Sequence, residues 1–459
     1  LLDRGGQQVL QMAMVIVVAN ILCPDDYALV AMLAIFTAVG NLVVESGFGA
    51  ALIQRHDADD RHYSSVFWFN LAMSSALYLL LLGCSPWIAA YFGEPQLVAL
   101  SAVVFLSLPL NATMLIQTTL LNKQIRFRHL AKVNLAAMLV SSLAAIVMAL
   151  CGCGVWTLAW QPVILAGVKS GLLWTTNRWR PQCYFSMAII RDLFGFASSL
   201  LLSGLLNVVF INVYSLVIPR LYPKRELGLF TQGNKICDPI GSIQNATYPI
   251  FSNIQNQHDR LINAYRKSIR FTSFLTFPLL IGGVMVAPAL FRLLFKSEWW
   301  DAIPFFQLLC MGGCFTVLTA INNNFIKVSG RSSGILRIEI VKMALTAVSI
   351  ALLARESVLA MVAGLMAVRG VVHLINIYYT QRYTGYGMWA QLCDTVPYLL
   401  LAMVMAAAVW SVGLVVDKPW LLLPLQIVAG AAVYTLLAYA TGSKILKDAI
   451  RLLLKKETL

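Results

Sequence analysis

Residues 227–254, LGLFTQGNKICDPIGSIQNATYPIFSNI, decide the fold of this chain. A hydropathy window rejects them, because they hold a lysine, an aspartate, two prolines and a run of amides and hydroxyls. Helical spacing accepts them. Thr231, Lys235, Asp238, Ser242 and Asn245 follow one another at steps of four, three, four and three, which puts all five on one face of a helix long enough to cross a bilayer. Such a face has to meet water, a polar ligand or another polar helix.

With that stretch counted, fourteen apolar segments bounded by charges, Pro and Gly follow along the chain. They are 1–22, 27–52, 64–91, 97–121, 133–151, 155–175, 193–218, 227–254, 268–295, 302–327, 335–354, 356–381, 391–415 and 419–441. The composition demands this reading: 459 residues are 59% hydrophobic and only 12% charged, with mean hydropathy +0.76. No soluble domain of this size is so apolar, so the expectation is an all-α, polytopic membrane protein. Most of the 34 Lys and Arg residues fall in the loops after the even-numbered spans and in the C-terminal tail. The positive-inside rule then puts the even-numbered spans' ends, and both termini, in the cytoplasm. Dropping residues 227–254 scrambles that asymmetry.

A weak internal repeat supports the same count. Pro24, ahead of Ala28 and Leu29, corresponds to Pro223, ahead of Gly228 and Leu229; His56 corresponds to His258 and Lys123 to Lys327. Spans 1–6 therefore map onto spans 7–12 with unchanged orientation, as in transporters built from parallel repeats around a shared site. The expected division is a first lobe over 1–175, a cytoplasmic linker over 176–192, a second lobe over 193–381, and two further helices with a basic tail over 382–459. The chain opens part-way into an apolar helix, and a short preceding stretch is expected.

Setting aside Arg270, Arg292, Lys327 and Arg337 within a few residues of span ends, five cations lie inside these spans: Arg4, Lys169, Lys235, Lys342 and Arg369. A charge in hydrocarbon costs at least ~3 kcal/mol, so such residues face a polar cavity, pair locally or snorkel to the interface. Lys169 and Lys342 sit close enough to Arg178 and Arg337 for their stems to reach headgroups. Arg369 is about a dozen residues, ~18 Å, from its cytoplasmic end, too deep for that. Asp3 with Arg4, Lys235 with Asp238, and Glu339 with Lys342 are spaced for local pairs. Asp3, Glu45, Asp238, Glu339 and Asp394 equal these five cations in number, so it is their placement and not their sum that decides whether a cavity is cationic. Gln8 and Gln11 extend the Arg4 face, Thr37, Asn41 and Glu45 line one side of span 2, and His373 and Asn376 align with Arg369. His373 reads first as a satisfied interior histidine, with cavity lining as the other role. Asp3, Glu45 and Asp238 are candidate ion-coupling carboxylates, since a low-dielectric cavity raises a carboxylate's proton affinity. Prolines 109, 162, 239, 249, 278 and 397 permit bends in their spans.

Several function classes find little support. The formal charge of +14 fits basic loops facing anionic headgroups better than nucleic acid. The nine cysteines contain no C-x-x-C pair and no His cluster accompanies them, so no disulfide, metal or cofactor is expected. Cys151 and Cys153 read as small residues in a tight turn. Asp57, Asp59 and Asp60 resemble a glycosyltransferase D-x-D but have no nucleotide-binding domain beside them and read as solvated loop. No P-loop is present in the sequence, and an enzyme is not expected.

In its ordered motifs the chain resembles the Wzx-type polysaccharide flippases of the multidrug/oligosaccharidyl-lipid/polysaccharide exporter superfamily. The resemblance rests on LLDRGGQQ (1–8), CPDDYALVAM (23–32), SGFGAALIQR (46–55), YFGEPQL (91–97), GCGVWTLAWQP (152–162), LGLFTQGNKICDPIGSIQNATYPIFSNIQ (227–255), FPLLIGG (277–283) and the Trp of KSEWW (296–300). It departs from the family pattern at Pro219 and Arg220, near the end of span 7. The resemblance implies alternating-access export of undecaprenyl-pyrophosphate-linked oligosaccharide units, with Arg4, Lys235 and Arg369 as leading contacts in a cationic cavity. It also implies a bacterial inner-membrane location, a monomer, membrane lipids as surroundings, and a polysaccharide polymerase and chain-length regulator as partners. A cation-coupled multidrug antiporter of the same superfamily is the alternative; its cavity should be acidic and aromatic.

Overall fold

The computed structural model describes residues 2–45, 47–55, 57–241, 258–328, 332–384, 386–443 and 445–446. Its regular elements are helices: α1 (Leu2–Ala19), α2 (Pro24–Glu45), α3 (Phe48–Gln54), α4 (Asp60–Phe92), α5 (Gln96–Val104), α6 (Ser107–Lys123), α7 (Phe127–Leu150), α8 (Trp156–Thr176), α9 (Met187–Ile211), α10 (Val213–Leu221) and α11 (Lys224–Gly241). After these come α12 (His258–Leu294), a 3₁₀ turn (Ser297–Ala302), α13 (Ile303–Val328), α14 (Ser332–Leu353), α15 (Val358–Thr384), α16 (Met388–Val415) and α17 (Pro419–Ala440). The protein is a polytopic all-α membrane protein. Each expected segment falls on one helix or on a consecutive pair, and α11 covers the described part of 227–254. The expected span 27–52 is split into α2 and α3 by a turn at Gly47. The departure at Pro219 does not end span 7, because α10 runs through it to Leu221.

Among the described residues, ten helical stretches are long and apolar enough to cross a membrane by length and composition, the one holding Arg369 included, while α1 is apolar but shorter over Gly6–Ala19.

Packing divides the chain into two compact units, Leu1–Thr231 and Gln232–Leu459. This boundary lies later than the division drawn from the repeat, because α9 packs on α2 and α3. In the first unit α7 packs on α8 and α1, and α6 lies against α4 and α8; in the second, α12 packs on α13 and α16, and α13 on α15. The two described units are therefore each helical bundles with their own cores.

Large apolar side chains such as Leu79, Leu143, Leu414 and Val428 point outward, as lipid contact requires, with Trp87, Trp389 and Trp420 exposed near helix ends. Inside, hydroxyls bond back to the preceding turn of backbone: Ser107 at the start of α6 donates to the Val104 carbonyl at the end of α5 at 2.7 Å, and Thr276 to Thr272 within α12 at 2.7 Å. The Cys151–Gly154 stretch is the expected tight turn, with Gly152 in the left-handed region at φ 77°. Gly228 allows a close approach: a Cβ there would lie 2.0 Å from the Pro24 carbonyl oxygen. The two prolines' segments, matched by the repeat, thus touch in space. Beside them Lys224 pairs with Glu94 at 2.8 Å and Arg220 lies over the Tyr91 ring at 5.7 Å.

Candidate functional site

In the first unit, α2 presents Thr37, Asn41 and Glu45 at one-turn intervals. Thr37 donates to the Leu33 carbonyl at 3.0 Å, and Asn111 of α6 donates its amide to Asn41 Oδ1 at 2.7 Å. One turn beyond, Glu45 is exposed, and its carboxylate acts electrostatically on Lys169 of α8. Lys169 is half-buried. Its neighbour Ser170 is anchored to Thr113 at 2.7 Å, and Trp174 donates to the Thr113 carbonyl at 3.0 Å. Helices α2, α6 and α8 thus assemble an amide pair, a carboxylate and an ammonium into one polar patch. On α1, Gln8 is half-buried and Gln11 exposed.

On α11 the two faces separate cleanly. Gln232, Gly233, Ile236 and Cys237 are buried, with Gly233 letting the helix approach the Phe306 backbone closely. The opposite face shows Thr231 half-buried and Lys235 exposed. The side chains of Asp3, Arg4 and Asp238, and the whole of Ser242 and Asn245, lie outside the described residues.

The α15 stripe resolves differently. His373 and Asn376 are buried; His373 Nδ1 lies 3.2 Å from Thr319 Oγ1 of α13, and Asn376 donates to the Val372 carbonyl at 3.0 Å. Spacing put these two on the Arg369 face, but that face is a helix–helix contact, so His373 is a packed interior histidine and not a cavity wall. Arg369 itself is half-buried. Lys342 forms an ion pair with Glu339 one turn earlier on α14, the pairing expected from its spacing.

The acidic loop is occupied by local structure. Asp59 caps α4, accepting from the Arg61 and His62 amides at 3.1 Å each, while Asp60 accepts from Trp179 Nε1 at 3.2 Å. Asp57 and Asp192 both pair with Arg55. The Arg55 guanidinium holds Asp57 below the usual carboxylate range, and the His62 ring does the same for Asp59. These acids fasten a loop to a helix start. Lys123, visible in the sequence only as a repeat marker, caps α3: its ammonium donates to the Arg55 carbonyl at 2.8 Å and to Tyr63 Oη at 3.1 Å.

Sequence reading also missed a cluster in the second unit. Asp394 of α16 accepts from Arg266 at 3.0 Å and Arg270 at 2.9 Å, both on α12, and from the Tyr386 hydroxyl. Asp394 was legible only as one unassigned carboxylate, because its arginine partners lie more than a hundred positions away.

Comparison with known proteins fits this arrangement. A family profile described as polysaccharide biosynthesis protein matches residues 17–304. The teichuronic acid biosynthesis protein TuaB of Bacillus subtilis is 28% identical over 64% of this chain and 63% of its own length. The succinoglycan biosynthesis transport protein ExoT of Rhizobium meliloti is 26% identical over 68% and 64%. The alignments thus span under two thirds of these relatives' lengths. Among solved structures, the lipid II flippase MurJ in an inward closed conformation superposes with a TM-score of 0.81, at 13% identity over 98% of this chain and 99% of that one. A multidrug resistance MATE family transporter superposes at 0.66, with 17% identity over 82% and 94%. At such identities these two likenesses establish the fold alone. With the profile covering more than half of the chain, the protein belongs to the polysaccharide biosynthesis protein family.

Proposed function

We propose that this protein moves undecaprenyl-pyrophosphate-linked oligosaccharide units from the inner to the outer leaflet of the bacterial cytoplasmic membrane by alternating access. The observation that carries the reading is Lys235, exposed on a segment whose other face is packed. Lys169 of the first unit, held beside Glu45, and the half-buried Arg369 of the second are further intramembrane cations in this reading. A pyrophosphate is the natural complement: it is doubly charged, rich in acceptors, and bound more tightly by charge-assisted hydrogen bonds than by neutral ones. The sugars would meet amides and hydroxyls such as Gln8, Gln11, Asn41 and Thr231.

Direction follows from electrostatics. Each elementary charge crossing 100 mV is worth ~2.3 kcal/mol, so an anionic headgroup gains on leaving a negative-inside cell. Glu45, with Asp3 and Asp238, is the candidate set for the ion that resets the carrier. In this reading fourteen segments cross the membrane as two six-helix lobes and two added helices. Both termini are cytoplasmic, the protein acts as a monomer without catalysing a reaction, and a polymerase and a chain-length regulator work downstream.

The test is binding by the purified protein in nanodiscs, at low and high salt, of undecaprenyl pyrophosphate and of cationic dyes. The expected result is salt-sensitive pyrophosphate-lipid binding, weakened by Lys235→Ala and Arg369→Ala. Dye binding without lipid affinity would instead establish the multidrug antiporter.

A further inference from the structure

The second unit holds a cavity of about 370 Å³ that none of the residues above requires. Its wall is formed by Arg266, Lys267 and Arg270 at the start of α12, by Cys393, Asp394 and Tyr398 at the start of α16, and by Ile445 just past α17. Three cations face one carboxylate. Asp394, 5% exposed, is the buried anchor, accepting from Arg266 Nε at 3.0 Å and from Arg270 Nε at 2.9 Å and Nη2 at 2.5 Å. The arginine side chains remain 39% and 36% exposed, so their outer edges line the cavity. Arg266 is further steadied over the Tyr386 ring at 5.1 Å. One buried carboxylate thereby aligns two guanidinium groups side by side, an arrangement that repels itself unless an anion joins it. Planar guanidinium forks match phosphate oxygens two at a time.

The surroundings specify the kind of phosphate. Trp389, 79% exposed on the first turn of α16, marks the level where aromatic side chains meet headgroups. Val396 and Leu400, two and six residues further along the same helix than Asp394 and turned away from it, are exposed at 38% and 55%. Basic pockets between helices at the membrane surface receive lipid headgroups in this way, with acyl chains lying along the apolar flank. We propose that this cavity binds the phosphate of an anionic membrane lipid, a site separate from the polar faces assigned to transport. The same chemistry could be met by a soluble phosphate compound, and the experiment separates the two.

Cys393 in the cavity wall and Cys183 in the segment between α8 and α9 are both exposed. The full chain is reconstituted in nanodiscs of phosphatidylcholine alone, of phosphatidylcholine with phosphatidylglycerol, and of phosphatidylcholine with added inorganic pyrophosphate. Alkylation of Cys393 by N-ethylmaleimide is then followed by peptide mass spectrometry relative to Cys183, which corrects for the surface potential. Phosphatidylglycerol should slow Cys393 about five-fold against Cys183, the protection that ~80% occupancy gives. Arg266→Gln/Arg270→Gln/Asp394→Asn, which removes the cations together with their carboxylate, should abolish the protection. Lys267→Gln, which leaves the Asp394 cluster intact, should reduce it and decides the matter should the triple variant not fold. Protection by pyrophosphate alone would overturn the lipid assignment, and equal rates in all three preparations would overturn the site.

Discussion

The polar patch of the first unit and the Asp394 cluster of the second use the same residue types in opposite ways. On α2 and α8 the carboxylate is exposed and the lysine half-buried, with Glu45 acting on Lys169 through space. At α12 and α16 the carboxylate is buried and two arginines wrap it by direct hydrogen bonds. The first arrangement leaves charge available to a ligand at little structural consequence. In the second, the fold depends on the charges being together. A charge inside a membrane protein is thus read by which partner is buried and not by its presence.

Breaking the second arrangement gives the largest expected effect. Asp394→Ala leaves two half-exposed guanidinium groups side by side without their carboxylate, and losing charge-assisted hydrogen bonds of this kind costs about 1.5–3 kcal/mol. Thermal unfolding in detergent should show it plainly. Removing carboxylate and arginines together should restore most of that loss, and a triple variant as unstable as Asp394→Ala would refute the pairing argument.

Next comes Gly228→Ala, whose new methyl group would sit 2.0 Å from the Pro24 carbonyl oxygen. The backbone has to shift, and overpacking of this kind costs about 1–3 kcal/mol. A wild-type unfolding temperature would show that the close approach is not held in solution.

Lys169→Ala and Glu45→Gln sharpen the comparison from the other side. Each should move stability by less than about 1 kcal/mol, as partly exposed ion pairs do, while transport falls sharply. Equal losses of folding and transport would place this patch in the same class as Asp394.

The smallest effect is a pH dependence at the loop before α4. Asp57 and Asp59 are held below their ordinary range by Arg55 and His62, so their contribution is complete above that range and lost as pH falls through the lowered values. Hydrogen exchange at the first turn of α4 should therefore accelerate only below about pH 4. Acceleration between pH 7 and 5 would contradict it.

Much of the fold was legible because lipid imposes simple rules on sequence. Apolar length gave the helices, and charge parity rescued α11, which hydropathy alone rejects. The stripe on α11 is described only at Thr231 and Lys235, half-buried and exposed beside the buried Gln232, Gly233, Ile236 and Cys237. The stripe on α15 was not legible: spacing places Arg369, His373 and Asn376 on one side but cannot say that α13 covers it. The Asp394 cluster left no signal, because an ion pair between α12 and α16 is a property of packing, with no spacing rule linking residues 124 and 128 positions apart. The acids before α4, read as solvated loop, have a local structural role that their spacing did not specify. Acids at a helix start serve capping as readily as chemistry, and Asp59 is a cap.

The most direct test of the central claim is flipping itself. Proteoliposomes loaded with a fluorescent undecaprenyl-pyrophosphate oligosaccharide would be assayed for leaflet exchange with the wild-type protein and with Arg4→Ala, Lys235→Ala and Arg369→Ala, each checked by thermal unfolding. The account predicts exchange by the wild type, and loss of exchange in variants that remain folded. Exchange at the wild-type rate in all three would contradict it.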